Sequence, residues 1–501
     1  MKNKVLNIVF IILFMAVLIV PMIFLNTKKN QISEIDNKSL TEWPGFKWNL
    51  SSREEIENYL NDRIGFREQA IEAYIELNDK LFHVMVHPLF MYGEEGHIYF
   101  KEPSYIAGYQ RLNTDKQYLD SMVDFLQKTN DYLASKGIPF LYYLCPDKKT
   151  IYPEYFPKSI HVKTDNESVT DYMEEKLSGT DIPYIIPVKE LQEAKKDQVV
   201  YNKKYDATHW NEFGALLGHK LIDVKMQEWF DDIPPLTEDD FTLTYTTMET
   251  LDVAKFPINE TVPLYMLKED HAGDASDYLK PYIRCTTTNF YTHYINPEAP
   301  NNKRLLVFTD SYFANYVWFY TNRFEEVYFI HRQNYDYLQY MVNLTFPDVV
   351  IFETAERSIM GEMVSTTDFT DYYYEPPYPG EAELKTTDEV SYLIITSQGV
   401  RRDGTTIYLN PESGDNIISI SGRIKKKDPE KTYNIYAHVA EAYLEADYCS
   451  LHRMAEFDGL DEFSFSVQRR YMEQGEIELI AVDADSGEQY LLDTFEVVYG
   501  K

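Results

Sequence analysis

The stretch RLLVFTDSY at residues 304–312 decides the predicted fold. Residues 304–308 form a short run with an apolar centre, which is typical of a buried strand, and residues 311–320 follow with a helical pattern. A strand that passes directly into a helix places Ser311 at the carboxyl edge of a parallel sheet, where α/β proteins carry their sites. The stretch therefore predicts a parallel sheet and a candidate nucleophile. The alternative is that Asp310 or Ser311 only caps the helix.

Short apolar strands and amphipathic helices alternate on both sides of this stretch. The further predicted strands are residues 138–144, 183–188, 326–330 and 348–353, and the predicted helices are residues 54–82, 115–136 and 211–230. This alternation predicts an α/β domain with a mostly parallel sheet and flanking helices, preceded by a stalk, over residues 31–375.

The pattern changes at residues 372–380, YYYEPPYPG, where the Pro-Pro and Pro-Gly steps predict a domain boundary. Beyond it, short strands alternate with turns. Residues 381–501 are therefore predicted to form an all-β, sandwich-like domain.

The N-terminus carries an apolar run over residues 5–25. As a helix it would be about 31 Å long, enough to cross a bilayer core. No small-residue cleavage site follows it, so residues 1–30 are predicted to be an uncleaved signal anchor. The expected location is the cell membrane, with a single transmembrane helix and the large domain on the extracytoplasmic side.

Composition excludes some classes of function. Lys and Arg total 48 against 81 Asp and Glu, and the resulting net charge of −33 argues against nucleic-acid binding. The three cysteines, Cys145, Cys285 and Cys449, lie far apart in the chain, so neither a disulfide framework nor a zinc site is expected. No metal and no cofactor are predicted.

A second group of polar residues lies in DATHWN at residues 206–211. Asp206, three residues before His209, is placed to accept a hydrogen bond from the imidazole Nδ1–H, which would leave Nε2 free to take a proton from a serine. Trp210 is either a platform for a sugar ring or the lid of the core. Together with Ser311, these residues form a possible Asp–His–Ser system.

Four segments carry a family resemblance: residues 92–100 (YGEEGHIYF), 145–156 (CPDKKTIYPEYF), 206–211 (DATHWN) and 309–312 (TDSY). In this order they resemble the SGNH-hydrolase-like domain of the alginate O-acetylation proteins AlgJ and AlgX. The resemblance covers residues 55–365. It implies an SGNH or flavodoxin-like sheet, with Ser311 as nucleophile, His209 as general base and Asp206 as its orienting partner.

The resemblance also implies an extracytoplasmic O-acetyltransferase that acts on an exported or cell-wall polysaccharide through an acylated serine. A membrane-bound O-acyltransferase would supply the acetyl groups, and the C-terminal domain would either hold glycan or serve as a structural module. Two alternatives remain open: an acetyl esterase with the same residues, and an inactive glycan-binding scaffold protein of the envelope.

Two departures from the family pattern bear on these alternatives. Thr309 replaces a glycine, which removes backbone freedom before Ser311, and Asp206 precedes His209 by three residues where many relatives have two. Lys148 and Arg332, which follow predicted strands, are expected with Trp210 to contact substrate. Glu353 and Arg357 are expected to pair with each other.

Overall fold

The computed structural model describes residues 2–499, apart from residues 30, 34–37, 46–49, 83, 88, 252–255, 284–290, 361–382, 399, 410–415, 440–441, 447–461 and 473–474. The predicted boundary at residues 372–380 lies outside the described residues, as do Cys285 and Cys449.

The α-helices of the described residues are α1 (Lys2–Ile23), α2 (Leu50–Arg63), α3 (Arg67–Phe82), α4 (Pro103–Tyr109), α5 (Lys116–Ser135), α6 (Lys148–Ile151), α7 (Val169–Leu177), α8 (Val188–Ala194), α9 (Glu212–Trp229), α10 (Ser276–Leu279), α11 (Ser311–Ala314), α12 (Leu338–Thr345) and α13 (Glu356–Ile359).

The strands of the described residues are β1 (Ile32–Ser33), β2 (Lys38–Ser39), β3 (Phe90–Tyr92), β4 (Ile98–Phe100), β5 (Phe140–Cys145), β6 (Tyr184–Ile185), β7 (Phe241–Thr250), β8 (Pro257–Leu267), β9 (Gly273–Asp274), β10 (Tyr291–Ile295), β11 (Arg304–Thr309), β12 (Glu326–His331), β13 (Val349–Ala355), β14 (Val390–Gln398), β15 (Arg401–Asp403), β16 (Thr406–Leu409), β17 (Ile417–Lys426), β18 (Tyr433–Val439), β19 (Ala442–Glu445), β20 (Glu462–Gln468), β21 (Gly475–Asp483) and β22 (Gln489–Tyr499).

The largest sheet has the strand order β6-β5-β13-β11-β12-β10-β9. The strands from β6 to β12 pair in parallel, and β10 and β9 are added antiparallel at one edge. The prediction of an α/β fold with a mostly parallel sheet is confirmed.

Helices cover both faces of this sheet, as β5 shows. Phe140, Tyr142 and Leu144 join one apolar core together with residues of α5, α7 and α12. The residues between them, Leu141 and Tyr143 among others, join a second core against α9 and α11. Because both faces are covered, the central residues of these strands are apolar and do not alternate with polar residues.

The strand register brings several loops to one edge of the sheet. Ala355 of β13 pairs with Cys145 of β5, and Thr309 of β11 pairs with His331 of β12. The residues that follow these four strands therefore meet at the carboxyl edge, and Ser311 is among them.

The C-terminal residues are rich in β-strands. One sheet has the order β14-β17-β20 and another the order β15-β16-β22-β21-β18-β19. Both contribute side chains to a common apolar core, for example Ile418 and Phe465 from one sheet and Ile435 and Leu479 from the other. This arrangement agrees with the predicted sandwich-like packing.

A buried polar cluster joins this β-rich region to the α/β sheet. Glu326 of β12 accepts hydrogen bonds from His293 at 3.0 Å, from Arg470 at 2.5 Å and from Tyr471 at 3.2 Å. Burial alone would raise the pKa of Glu326, but the hydrogen bond from His293 and the charge of Arg470 lower it to about 2. The carboxylate is thus stabilised by groups from both regions.

Within the described residues, no helix combines the length and the apolar composition that a membrane crossing requires, and this includes α1. The predicted transmembrane anchor within residues 1–30 is therefore not supported.

Candidate active site

Ser311 is the first residue of α11, directly after the turn that leaves β11. Asp310 is the residue that caps this helix: its Oδ1 accepts from the Tyr312 backbone N–H at 3.1 Å. The Ser311 hydroxyl takes no part in the cap and lies 2.8 Å from Nε2 of His209. The alternative that one of these two residues only caps the helix is therefore confirmed for the cap itself, which Asp310 provides, and wrong for Ser311.

His209 is held by the loop that precedes α9. Its Nδ1 lies 2.8 Å from Oδ2 of Asp206, while Oδ1 of Asp206 accepts from the backbone N–H groups of Thr208 at 2.8 Å and His209 at 2.9 Å. Asn211 caps α9 through the N–H groups of Phe213 and Gly214, so the cap does not involve Asp206. Asp206 thus fixes both the turn and the ring of His209.

Asp206 is held in its ionised form. Burial alone would raise its pKa, but the charge of His209 and the hydrogen bonds from His209 and Thr208 lower it below the usual range. A carboxylate at Nδ1 keeps the proton on that nitrogen and leaves Nε2 as an acceptor for the Ser311 hydroxyl. The three groups have the geometry of a serine nucleophile with its general base.

Thr309 fits its position without backbone strain, because it is not among the residues with positive φ. Its hydroxyl lies 2.8 Å from the Asp310 carbonyl oxygen and 2.7 Å from Oε2 of Glu353. Burial and the neighbouring Asp310 raise the pKa of Glu353 well above its usual range. The Thr309 hydroxyl is the donor toward both oxygens, and Oε2 of Glu353 also accepts from the Asp310 backbone N–H at 2.8 Å.

The three predicted substrate contacts lie buried, with exposed fractions of 0% for Lys148, 2% for Trp210 and 4% for Arg332. Trp210 packs edge-on against Tyr312 and is the lid of the core, not a platform for sugar. Arg332 pairs with Asp310 at 3.3 Å. None of these three side chains reaches the surface, so their burial gives no support for a contact with substrate, which stays a prediction.

Lys148 holds the loop that carries Asp206. Its Nζ donates to the carbonyl oxygens of Ile98 at 2.8 Å and Lys203 at 3.0 Å. Burial lowers the pKa of Lys148 to about 7. Lys148, in the segment at residues 145–156, thus links the segment at residues 92–100 to the loop that leads into residues 206–211.

Glu260 of β8 also forms hydrogen bonds with the loop that carries Asp206. Its carboxylate accepts from the backbone N–H groups of Lys203 at 2.7 Å, Lys204 at 2.7 Å and Tyr205 at 2.6 Å. These residues immediately precede Asp206. No pattern in the sequence indicates Glu260, because its partners are backbone groups that any residue provides.

Arg357 is a second residue that sequence reasoning misplaced. It follows β13, and its Nη1 donates to Oδ1 of Asp147 at 2.6 Å while its Nη2 lies 3.0 Å from Nε2 of His209. The predicted pair with Glu353 is wrong, since Glu353 bonds to Thr309 and to the Asp310 backbone. The signal available was that Arg357 follows a strand next to β11, at the edge that carries Ser311.

A buried network supports Arg357. Lys149 bonds to Asp147 at 3.2 Å and to Glu356 at 2.5 Å, and Glu356 also accepts from the Asp147 backbone N–H at 2.9 Å.

Within the part of the chain that the structure describes, no group of His, Cys, Asp or Glu residues is arranged to hold a metal ion.

Residues 93–251 match the model of a family described as "SGNH hydrolase-like domain, acetyltransferase AlgX". The matched residues include Asp206 and His209, whereas Ser311 and Arg357 lie beyond them. No curated protein matches the sequence of this chain.

Several solved structures are similar to this chain. Bacillus cereus PatB1 is 17% identical, with a TM-score of 0.41, and the match covers 54% of this chain and 97% of that one. The O-acetyltransferase domain of Pseudomonas putida AlgJ is 14% identical, with a TM-score of 0.37, covering 57% and 96%. Pseudomonas aeruginosa AlgX is 13% identical, with a TM-score of 0.33, covering 81% and 90%.

Residues 93–251, which include Asp206 and His209, match an SGNH-hydrolase-like domain, and Ser311 meets His209 at the carboxyl edge of the sheet. The matched segment belongs to the AlgX type of this family, which confirms the resemblance inferred from the four motifs. Since all the TM-scores given lie below 0.5, the family match alone carries the assignment. It supports an enzyme that transfers acetyl groups.

Proposed function

We propose that this chain is a serine O-acetyltransferase that places acetyl groups on hydroxyls of a polysaccharide outside the cytoplasm. The observation that carries the proposal is the chain of hydrogen bonds from Asp206 through His209 to Ser311, with 2.8 Å at each step. The acetyltransferase description of the matched family supports the choice of acyl group.

The first half of the reaction acylates the serine. Oγ of Ser311 forms a bond to the acetyl carbonyl carbon while its proton passes to Nε2 of His209. The bond to the donor's leaving group then breaks, and His209 gives the proton to that group. Asp206 holds the proton on Nδ1 and stabilises the imidazolium while it exists.

The second half transfers the acetyl group. A sugar hydroxyl loses its proton to Nε2 of His209 and attacks the acetyl carbon, and Oγ of Ser311 leaves and recovers the proton. If water attacks in place of the sugar, the same residues give an esterase, so the outcome depends on which nucleophile reaches the acyl-enzyme. We propose a membrane-bound O-acyltransferase as the supplier of acetyl groups.

The test uses purified protein, 4-nitrophenyl acetate as donor and an oligosaccharide as acceptor, with release of nitrophenol and acetylation of sugar both measured. Ser311→Ala should lose nearly all turnover. Ser121→Ala, which removes a hydroxyl bonded to its own helix at the Gln117 carbonyl, should keep it. Turnover by Ser311→Ala equal to that of the wild type would reject the proposal. Acetate without acetylated sugar would assign an esterase, and glycan binding without turnover would assign a scaffold protein.

The extracytoplasmic location stays a prediction with its own test. Protease added to cells stripped of their wall should digest the folded domain while a cytoplasmic marker protein survives. Protection of the domain until the cells are lysed would place it on the cytoplasmic side.

A further inference from the structure

Arg357 brings a positive charge to the reacting end of His209. Its Nη2 lies 3.0 Å from Nε2, the nitrogen that also lies 2.8 Å from the Ser311 hydroxyl. The side chain of Arg357 is 17% exposed, and its guanidinium carbon lies 5.2 Å from the centre of the Tyr312 ring. The guanidinium is therefore almost out of water and next to the nucleophile.

The two donors at Nε2 compete for one acceptor. A neutral imidazole with its proton on Nδ1 has a single lone pair at Nε2. The O–H of Ser311 and an N–H of Arg357 both point at this lone pair, and only one of them can use it fully. When Ser311 donates to Nε2, and still more when Nε2 takes the proton, the N–H of Arg357 loses its acceptor. Leaving a charged, nearly buried N–H donor without an acceptor costs free energy. The guanidinium of Arg357 therefore stabilises an anion that forms within its reach.

That anion forms at the same moment. As Oγ of Ser311 bonds to the acetyl carbon, the carbonyl π electrons move to the oxygen and the proton moves to Nε2, which gives a tetrahedral centre with one negative oxygen. We propose that Arg357 is a further catalytic residue that donates from Nη2 to this oxyanion. The proposal rests on the proposed acyl transfer and deepens it.

The other basic side chains described at this edge are engaged elsewhere. Arg332 pairs with Asp310, and Lys149 pairs with Asp147 and Glu356. Lys148 donates to backbone carbonyls. Of these, Arg357 is the residue in contact with His209, and Asp147 is the positioning residue that aims it through Nη1.

The decisive variants are Arg357→Gln, Arg357→Lys and a control, Arg304→Gln. Arg304 also pairs with an aspartate, Asp348 at 3.6 Å, but at the opposite end of β11. Loss of one oxyanion donor typically lowers kcat by a factor of about 10² to 10³. We expect that loss for Arg357→Gln with an unchanged KM, a smaller loss for Arg357→Lys, and wild-type turnover for Arg304→Gln.

A second measurement separates catalysis from support. Methylboronic acid adds to a serine to give a tetrahedral anion that resembles the intermediate, and a transition-state analogue should lose affinity in step with kcat/KM. We expect Arg357→Gln to weaken its binding by the same factor as kcat/KM. Asp147→Asn, which keeps the guanidinium but not its aim, should lower kcat less than Arg357→Gln does.

Three outcomes would overturn the inference while leaving acyl transfer intact: kcat of Arg357→Gln within threefold of the wild type, a loss confined to KM for an acidic acceptor, or unchanged boronate affinity. Should Arg357→Gln fail to fold, wild-type kcat and boronate affinity in Arg357→Lys would equally overturn it, because an ammonium cannot reproduce the guanidinium's geometry. A wild-type protein without any Ser311-dependent turnover rejects the proposed function instead.

Discussion

Thr309 lies two residues before the candidate nucleophile, at the position where the family resemblance predicts a glycine. Its side chain points into a buried polar cluster with Glu353 and the Asp310 backbone, and not toward the space in front of Ser311. A hydroxyl that donates in this cluster links β11 to β13. The substitution is thus compatible with an active site.

Asp206 offers the clearest prediction at the scale of single residues. Asp206→Asn keeps an oxygen for the backbone N–H groups of Thr208 and His209 but turns an N–H toward Nδ1, which favours the wrong tautomer of the imidazole. We expect kcat to fall by a factor of about 10³ to 10⁴ with little change in Tm. The double variant, Asp206→Asn with His209→Ala, should be scarcely slower than His209→Ala alone.

The same residue could instead serve only to support the turn. In that case Asp206→Asn would lower Tm but keep turnover per folded molecule, and the losses of the two variants would multiply. Measuring Tm and kcat on both single variants and on the double variant decides the matter.

Lys148 leads to a prediction about pH. Its folded pKa of about 7 lies below the value of about 10.4 in an unfolded chain. Between these values the unfolded state binds the extra proton, so the free energy of unfolding should rise with pH by roughly 1.4 kcal/mol per unit from this group. Below pH 7 both states are protonated and the contribution no longer changes.

The comparison is the difference in unfolding free energy between the wild type and Lys148→Met at pH 7, 8 and 9. The free energy of unfolding of the wild type should increase relative to that of the variant as the pH rises. Lys101→Met, which removes an exposed lysine just after β4, should show no such trend. A constant difference for Lys148→Met would mean that the lysine stays charged in the folded protein.

At the scale of elements, the hairpin of β7 and β8 positions the loop that carries Asp206 and His209, through the contacts of Glu260 with residues 203–205. Glu260→Gln replaces one acceptor oxygen with a donor that opposes a backbone N–H of residues 203–205. We expect kcat to fall by about tenfold, because a displacement of the loop moves Asp206 and His209 together. Glu249→Gln, on the exposed part of β7, should keep full activity, and equal kcat for the two variants would contradict this role.

The elements themselves show what the sequence could and could not predict. The ends of four strands, β5, β11, β12 and β13, lie within two residues of their predicted places, because burial on both faces leaves a continuous apolar run. β6 is shorter than predicted, and the antiparallel edge strands β9 and β10 were not predicted. The predicted helix at 54–82 is broken into α2 and α3 near Phe66, whose φ is 62°. The β7–β8 hairpin was missed, since its many exposed threonines give neither a buried run nor a strict alternation.

The candidate site also contains residues that the sequence could predict and residues that it could not. Asp206, His209 and Ser311 could be predicted because each occurs in a short motif at a turn. Arg357 and Asp147 meet only through the pairing of β5 with β13, 210 positions apart in the chain. Such a contact depends on strand order, which local patterns do not contain.

At the scale of the whole molecule, Arg470 links the β-rich region to the sheet. Arg470→Met should lower the free energy of unfolding by about 2 kcal/mol, less than for a fully buried pair because the Arg470 side chain is 30% exposed. The Glu326 carboxylate, with its pKa of about 2, contributes stability above pH 4 that is lost as the pH falls toward 2.

Differential scanning calorimetry of Arg470→Met checks this link. The β-rich region should begin to melt before the rest, whereas Lys427→Met, which breaks an exposed pair with Asp388, should leave a single wild-type transition. An unchanged Tm for Arg470→Met would show that the cluster does not hold the two regions together.

The hydrogen bonds from three consecutive backbone N–H groups to Glu260 have a consequence for amide hydrogen exchange. The amide protons of Lys203, Lys204 and Tyr205 are engaged by a side chain that belongs to a hairpin more than 50 residues further along the chain. They can exchange with solvent only when that carboxylate releases them, so their protection factors report how often the hairpin and the loop part. Any ligand that stiffens the hairpin should slow the exchange of these three amides together, which makes them a spectroscopic probe of motion between the hairpin and the loop.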